Sequence, residues 1–279
     1  MKTVDERNAL GGYLKARRQL VQPGEVGILA GTTGGLRRVA GLRREEVAML
    51  AGVSADYYLR LEQGRDRNPS EQVVKALARV LQLDDEATAY LLALSRPPAV
   101  KAPRPRREVV PVGIRQLLTV LGLPAFVEGR YFDVLAANPL ATAMSPRLVA
   151  GQNRLRAVFL DPAEQALHPD WERSMAGMVA SFRGSVGTHT SDPHFLQLVG
   201  ELAVRSDLFR RLWARQDVRA REGAPARILH PEIGELLLRR EKLGIGGTDG
   251  QLLVVYHPQD ADTAERLALL GSLAAMPPD

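Results

Sequence analysis

The run Arg43-Arg-Glu-Glu-Val-Ala-Met-Leu-Ala-Gly-Val-Ser-Ala-Asp-Tyr-Tyr-Leu-Arg-Leu-Glu-Gln-Gly64 constrains this chain more than any other stretch, because it places each residue that a tight pair of helices demands at the required spacing. Ala48 is small where two helices must cross closely. Gly52, four residues on, supplies the positive φ of a sharp turn, and Val53 plugs the angle. Ser54 is a good N-cap for the second helix. Tyr58 and Leu61 turn inward at a spacing of three, and Gly64 closes the helix from just beyond its C-cap. Two short helices, Arg43 to Ala51 and one opened by Ser54, are therefore expected around a glycine hinge. Ala55, Asp56, Tyr57, Leu59, Arg60 and Gln63 are left to solvent, to a partner or to minor packing.

Three more helices surround this pair. Leu10 to Leu20 carries Leu10, Tyr13 and Leu14 on one face and ends near Pro23-Gly24. A helix from Ser70 turns Val73, Val74, Leu77, Ala78 and Leu81 inward. The last opens on Asp84-Asp85-Glu86, acids that suit the positive end of a helix dipole, and runs through Leu91, Leu92 and Leu94 to Pro97-Pro98. The Gly- and Thr-rich stretch 22–42 should be an irregular loop, whose Arg37 and Arg38 are placed to follow a phosphate backbone. Residues 96–109, proline-rich and basic, have the composition of an extended tether. Domains are thus expected at 1–95 and 110–279 with a linker at 96–109. Basicity is unevenly shared between them. Residues 1–110 hold 19 Lys and Arg against 13 Asp and Glu, leaving 18 against 19 of the totals of 37 and 32 for the rest. A net +6 on the first part and −1 on the second is the distribution expected when one domain meets nucleic acid.

The second part mixes elements. Ile114 to Leu121 reads as a helix, and Pro124 to Ala137 as a hairpin turning at Glu128-Gly129. Residues 139–220 look largely helical, most clearly at Trp171 to Phe182 and Phe195 to Leu202. Strands follow at Arg227 to His230, Gly234 to Leu243 and Gln251 to His257, then a helix from Asp262 to Leu273. An antiparallel sheet flanked by helices buries this order of elements most simply, which makes an all-α domain followed by an α+β one.

The N-terminal pattern resembles the phage-repressor type (XRE) helix-turn-helix transcriptional regulators, over residues ~10–95, in spacing, turn glycine and Leu-Glu-Gln-Gly exit. The resemblance implies a sequence-specific regulator, dimeric on a two-fold operator in double-stranded DNA, whose recognition helix runs from Ser54 to Gln63. It places Arg43 and Arg44 at the opening of the scaffold helix near phosphate, Ala55, Asp56 and Arg60 at the bases, and Arg65 and Arg67 near the backbone. Glu62 would pair with an arginine of the first helix, here Arg18. Arg60 has the geometry to read guanine and also suits a phosphate. Asp56 suits either a cytosine contact or an ion pair that aims Arg60, with the ion pair favoured. Tyr57 could reach a sugar or thymine methyl, or pack.

The second part resembles the MmyB-like ligand-binding domain, in Leu123-Pro-Ala-Phe-Val-Glu-Gly-Arg, Asp133-Val-Leu-Ala-Ala-Asn-Pro-Leu-Ala141, Leu198-Val-Gly-Glu-Leu202, Leu212-Trp-Ala-Arg-Gln-Asp-Val218 and His230-Pro-Glu-Ile-Gly-Glu-Leu236. That implies a PAS-like fold holding a small apolar or fatty-acid-like molecule. Candidate lining residues are Phe126, Val134, Leu135, Trp171, Met175, Met178, Phe182, Trp213 and Leu238, with Asn138, Arg215, Gln216 and His230 as the polar set. Gln216 stands where the family is expected to carry histidine, which puts any contact made by that imidazole in doubt.

Other functions find less support. There is no cysteine, hence neither a disulfide framework nor a thiolate metal site. No Gly-x-Ser-x-Gly or P-loop occurs and the five histidines are scattered, so a hydrolase is a weaker alternative and no catalytic residue or cofactor is expected. His189-Thr-Ser-Asp-Pro-His194 does not have the spacing of a helical zinc pair. An antitoxin-like protein that binds DNA and a protein partner is a further alternative. The acids of Met1-Lys-Thr-Val-Asp-Glu6 and the lack of a long apolar run point to a cytoplasmic chain with no membrane span.

Overall fold

Side-chain caps fix the ends of most of the N-terminal helices. Asn8 caps α1 (Ala9–Leu20), accepting from the Gly11 amide at 3.1 Å. In α2 (Arg44–Ala51) Glu46 reaches back to the Arg43 amide at 2.6 Å. Ser54, Ser70 and Asp84 accept from the N3 amides of α3 (Ala55–Glu62), α4 (Glu71–Val80) and α5 (Asp85–Leu94). Each cap satisfies an amide that the helix itself leaves unpaired. Tyr13, Leu14, Val47, Tyr58, Leu61, Leu77, Leu81 and Leu91 form the core these helices share. Tyr13 and Tyr90 lie 5.3 Å apart between centroids.

The computed structural model describes residues 8–28, 41–96, 108–187, 192–219 and 223–275, which fall into two units. The first comprises Met1–Ala102, Gly187–Gln197 and Arg210–Arg219; the second, Pro103–Val186, Leu198–Phe209 and Ala220–Asp279. The grouping of 210–219 with the first unit, where a division at a 96–109 linker puts them in the second, has a local cause. Val218 is buried in the first unit's core, and Arg17 Nη1 donates to Asp217 Oδ1 at 2.6 Å. Within 22–42, Pro23–Val26 forms a single 3₁₀ turn. Arg37, Arg38, His189 and most of 96–109 lie outside the described residues.

In the second unit α6 (Val112–Val120) precedes β1 (Ala125–Glu128), β2 (Val134–Ala137) and α7 (Pro139–Met144). Then come α8 (Arg154–Leu160), α9 (Pro162–Ala166), α10 (Trp171–Val186), α11 (Pro193–Arg205) and α12 (Asp207–Ala214), the last two contributing residues to both units. β3 (Ala224–His230), β4 (Gly234–Gly244), β5 (Leu252–Pro258) and α13 (Ala261–Ala275) follow. The strands form one sheet in the order β2-β1-β5-β4-β3, every neighbour antiparallel. Alternation sorts the sheet's side chains into two faces. Phe126, Val134, Leu236, Leu238, Val254 and Tyr256 pack with α7 and α13, while Ala125, Val127 and Leu253 pack with Leu118 of α6. Among the described residues no helix is long and apolar enough to cross a membrane.

The first hairpin departs from expectation. Its turn lies at residues 129–133, with Phe132 at φ 65°, so Glu128 belongs to the strand. The reason is that the Glu128 side chain is fully buried, accepting from Arg154 Nη1 at 2.5 Å and Lys242 Nζ at 3.2 Å. Those two cations also lie over the rings of Phe126 and Phe132, at 5.1 and 5.0 Å.

Candidate nucleic-acid interface and ligand cavity

Gly52 adopts φ 69° between α2 and α3, the left-handed conformation in which a Cβ would be strained. It delivers Val53, whose amide donates to Ala48 O at 3.0 Å, and then Ser54, whose Oγ takes the Tyr57 amide at 3.1 Å. α3 is anchored from behind. Its Tyr58 and Leu61 are buried, and its Glu62 carboxylate, 2% exposed, accepts from Arg18 Nε and Arg44 Nε, both at 2.6 Å. Arg18 completes its shell by donating to the Leu42 carbonyl at 2.7 Å. Burial acts to raise the Glu62 carboxyl, but hydrogen bonds and charge from Arg18 and Arg44 outweigh it and hold the group below the ordinary carboxylate range. Burial, with the neighbouring Glu62 charge, pushes the Tyr58 phenol up.

Where α1 crosses α3 the backbones nearly touch. A Cβ on Gly11 would lie 2.2 Å from the Glu62 carbonyl oxygen, and Asn8 Nδ2 donates to that same oxygen at 2.8 Å. Glycine is thus required at 11 by contact.

The opposite edge of α3 is open. Ser54, Ala55, Asp56 and Gln63 are exposed, and Tyr57, Leu59 and Arg60 half-buried. Asp56 and Arg60, one turn apart, form an ion pair, and the Arg60 guanidinium carbon lies 5.7 Å from the centre of the Tyr57 ring. Arg65 and Arg67 are exposed just beyond the helix, with Arg67 Nε donating to Gly64 O at 2.9 Å. Arg43 is half-buried and Arg44 exposed at the start of α2. The structure therefore brings the ten residues expected at DNA onto α2, α3 and the turn after it, and Arg18 and Glu62 into a buried ion pair.

The thirteen residues expected at a ligand are dispersed. Phe126, Val134 and Leu238 face one side of the sheet, Leu135 the other. Trp213, Arg215 and Gln216 belong to the first unit, where Trp213 meets the Phe195 ring at 5.9 Å and Arg215 pairs with Asp217. Met175, Met178 and Phe182 are buried along α10, Phe182 edge-on to Phe132. Trp171 Nε1 donates to the Val158 carbonyl at 2.9 Å. Asn138 uses its whole side-chain capacity: Oδ1 accepts from Ala125 and Ala141 amides, and Nδ2 donates to Leu121 and Leu123 carbonyls. His230 Nδ1 accepts from the Glu232 amide, which leaves Nε2–H to donate to Ala143 O at 3.1 Å. Asn138 and His230 are thus held by the fold.

A cavity of about 20 Å³ lies in the second unit between β3, β5 and α7–α9, walled by Met144, Leu148, Val158 and Ile228 and edged by Arg154 and Glu164. None of the thirteen lines it. Ser145 Oγ lies 2.8 and 2.9 Å from the two oxygens of buried Glu164. Arg154, Ser145 and Glu164 gave no sequence signal, because a charged or hydroxyl residue between helices ordinarily marks surface.

A model of a helix-turn-helix domain matches residues 9–91, and a model of the MmyB-like transcription regulator ligand binding domain matches residues 110–270. No curated protein matches the chain. Among solved structures, that of an RNA-binding light-oxygen-voltage receptor is similar at 12% identity over 82% of this chain and 57% of its own, with a TM-score of 0.24. The chain thus spans little more than half of that receptor's length, and a likeness at that score carries no argument.

Proposed function

We propose, from the premise that the chain belongs to the family of the MmyB-like transcription regulator ligand binding domain, that it is a sequence-specific regulator of transcription in the cytoplasm. It docks α3 in the major groove of an operator and answers to a small apolar or fatty-acid-like molecule held by its second domain. The observation that carries the DNA half is the division of α3 into two edges, one fixed to the core through Glu62 and the other presenting exposed Ser54, Ala55, Asp56 and Gln63 beside half-buried Arg60. Arg43, Arg44, Arg65 and Arg67 flank that edge with positive charge suited to phosphates. Two copies on a two-fold operator fit the reading of one half-site per α3. For the second half, a ligand shifts the regulator only if it binds two arrangements of the protein with different affinity.

The test uses the full chain. Selection from random duplexes should enrich one motif, with an affinity that falls steeply as salt rises, and Arg60→Ala should lose about 1–3 kcal/mol of operator discrimination. Salt-insensitive binding, or no binding to any duplex, would remove the DNA reading. Mass spectrometry of material released on denaturation should find a lipid-like compound. An empty result together with no stabilisation by a panel of fatty acids would remove the sensor reading.

A further inference from the structure

From the paired charges on the open edge of α3 we infer that Asp56 and Arg60 act as one reading unit. In it Arg60 takes a guanine and Asp56 takes the exocyclic amine of a cytosine on the opposite strand of the neighbouring base pair. The inference rests on α3 being the groove helix.

A carboxylate at the front of a DNA-facing helix is repelled by every phosphate it approaches, so its presence there calls for a reason. Asp56 is the second residue of α3, with a side chain 73% exposed, and holds Arg60 through an ion pair one turn on. An acid near a helix N-terminus gains about 0.3–1 kcal/mol from the dipole. That local gain explains an acid at any position of the first turn, yet this one lies on the edge from which Arg60 also projects. Ala55 beside it offers only a methyl group, and Ser54 is engaged in capping. The first turn therefore presents one strong acceptor and, behind it, one strong donor.

The major groove offers few partners for such an acceptor. Guanine shows N7 and O6 there and thymine O4, all of which repel a carboxylate; only cytosine N4 and adenine N6 donate. Arg60 has the complementary preference, its planar fork matching guanine N7 and O6. Asp56 and the Tyr57 ring hold that fork in place before DNA arrives, so less side-chain freedom is lost on binding. At a wrong site one of the two charges meets its own kind, and the pair discriminates by repulsion as well as attraction.

The experiment is random-duplex selection with the full chain, followed by equilibrium titration of the selected duplex and its single-base variants at fixed salt. The wild type should require a guanine with a cytosine on the opposite strand one step away. Asp56→Ala should keep the guanine, lose about 5- to 100-fold discrimination at the cytosine, and bind non-specific duplex more tightly. Asp56→Asn should exchange the cytosine preference for adenine, whose N6 and N7 match a carboxamide. Arg60→Ala should lose the guanine. Both Asp56 variants change a solvent-facing group outside the core and should fold as the wild type does. A wild-type motif without the neighbouring cytosine, or an unchanged motif in both Asp56 variants, overturns the inference and leaves Asp56 a helix-end charge. Absence of any motif or salt-sensitive binding overturns the DNA reading itself.

Discussion

Glu62→Ala should be among the most damaging single changes in the first unit, and its cost follows from the burial of its partner. Arg18 is 6% exposed, and its guanidinium has the Glu62 carboxylate as its counter-charge and the Leu42 carbonyl as a further acceptor. Removing the acid leaves the guanidinium buried without its carboxylate, a situation that typically costs about 3–5 kcal/mol. Arg44 adds little, since its side chain is 43% exposed and water takes over when the pair breaks; exposed pairs contribute about 0–1 kcal/mol. Native-state hydrogen exchange on the full chain, followed by mass spectrometry of peptides covering α2 and α3, reads the cost directly. At about 1.4 kcal/mol per decade, protection should fall by about two to three and a half decades. The control is Arg18→Met combined with Glu62→Leu, which removes both charges and, by the usual balance of desolvation against Coulomb attraction, should recover most of the loss. A loss below one decade, or a double variant as unstable as Glu62→Ala, would refute the claim that an uncompensated buried cation sets the cost.

Two further outcomes follow. Gly11→Ala should lower the urea midpoint by the equivalent of about 1–3 kcal/mol, since its Cβ meets the Glu62 carbonyl, whereas Gly12→Ala, with nothing within 4 Å, should raise it by about 0.5–1 kcal/mol through helix propensity. Equal effects at the two positions would rule out the close crossing of α1 and α3. The lowered Glu62 carboxyl gives a pH dependence: a folded-state pKa below the unfolded one contributes stability that is complete above the unfolded value and is lost as pH falls through the folded one. The gap in urea midpoint between wild type and Glu62→Ala should therefore be constant from about pH 7 to 5 and close below about pH 4. A gap that widens in acid would contradict that sign.

The first unit was legible because its signals are demands of the local backbone. Gly52 answers a positive φ, Ser54, Ser70 and Asp84 answer unpaired amides, and Tyr58 and Leu61 answer a helical period. The later strands were legible for a similar reason, their alternation being visible within each segment. What escaped were choices made by distant contacts. Glu128-Gly129 has the composition of a turn, yet Arg154 and Lys242, far along the chain, draw Glu128 into the strand. Asn138 and His230 look like polar groups in search of a ligand until Leu121, Leu123 and Ala143 turn out to hold them. Phe132 and Gln216 take positive φ without being glycine or asparagine, so no residue type announced those bends.

If the proposed ligand enters the small cavity between β3, β5 and α7–α9, the size of that cavity sets how the switch would have to operate. At about 20 Å³ it has room for little more than one water, whereas pockets for small organic ligands run to about 300–1,000 Å³. Its apolar wall comes from several elements, among them Met144 of α7, Val158 of α8 and Ile228 of β3. A chain-like apolar molecule could not enter without separating these elements, since interiors packed at crystal density have low compressibility and transmit strain. Its arrival would therefore favour an arrangement other than this one, and the difference in affinity between the two would set how far the population could shift. Arg154 adds a constraint at the polar edge. Its Nη1 is held by buried Glu128, so a ligand that drew the guanidinium away would break that ion pair. An anionic head group drawn to Arg154 would therefore have to compete with the buried Glu128 carboxylate for it.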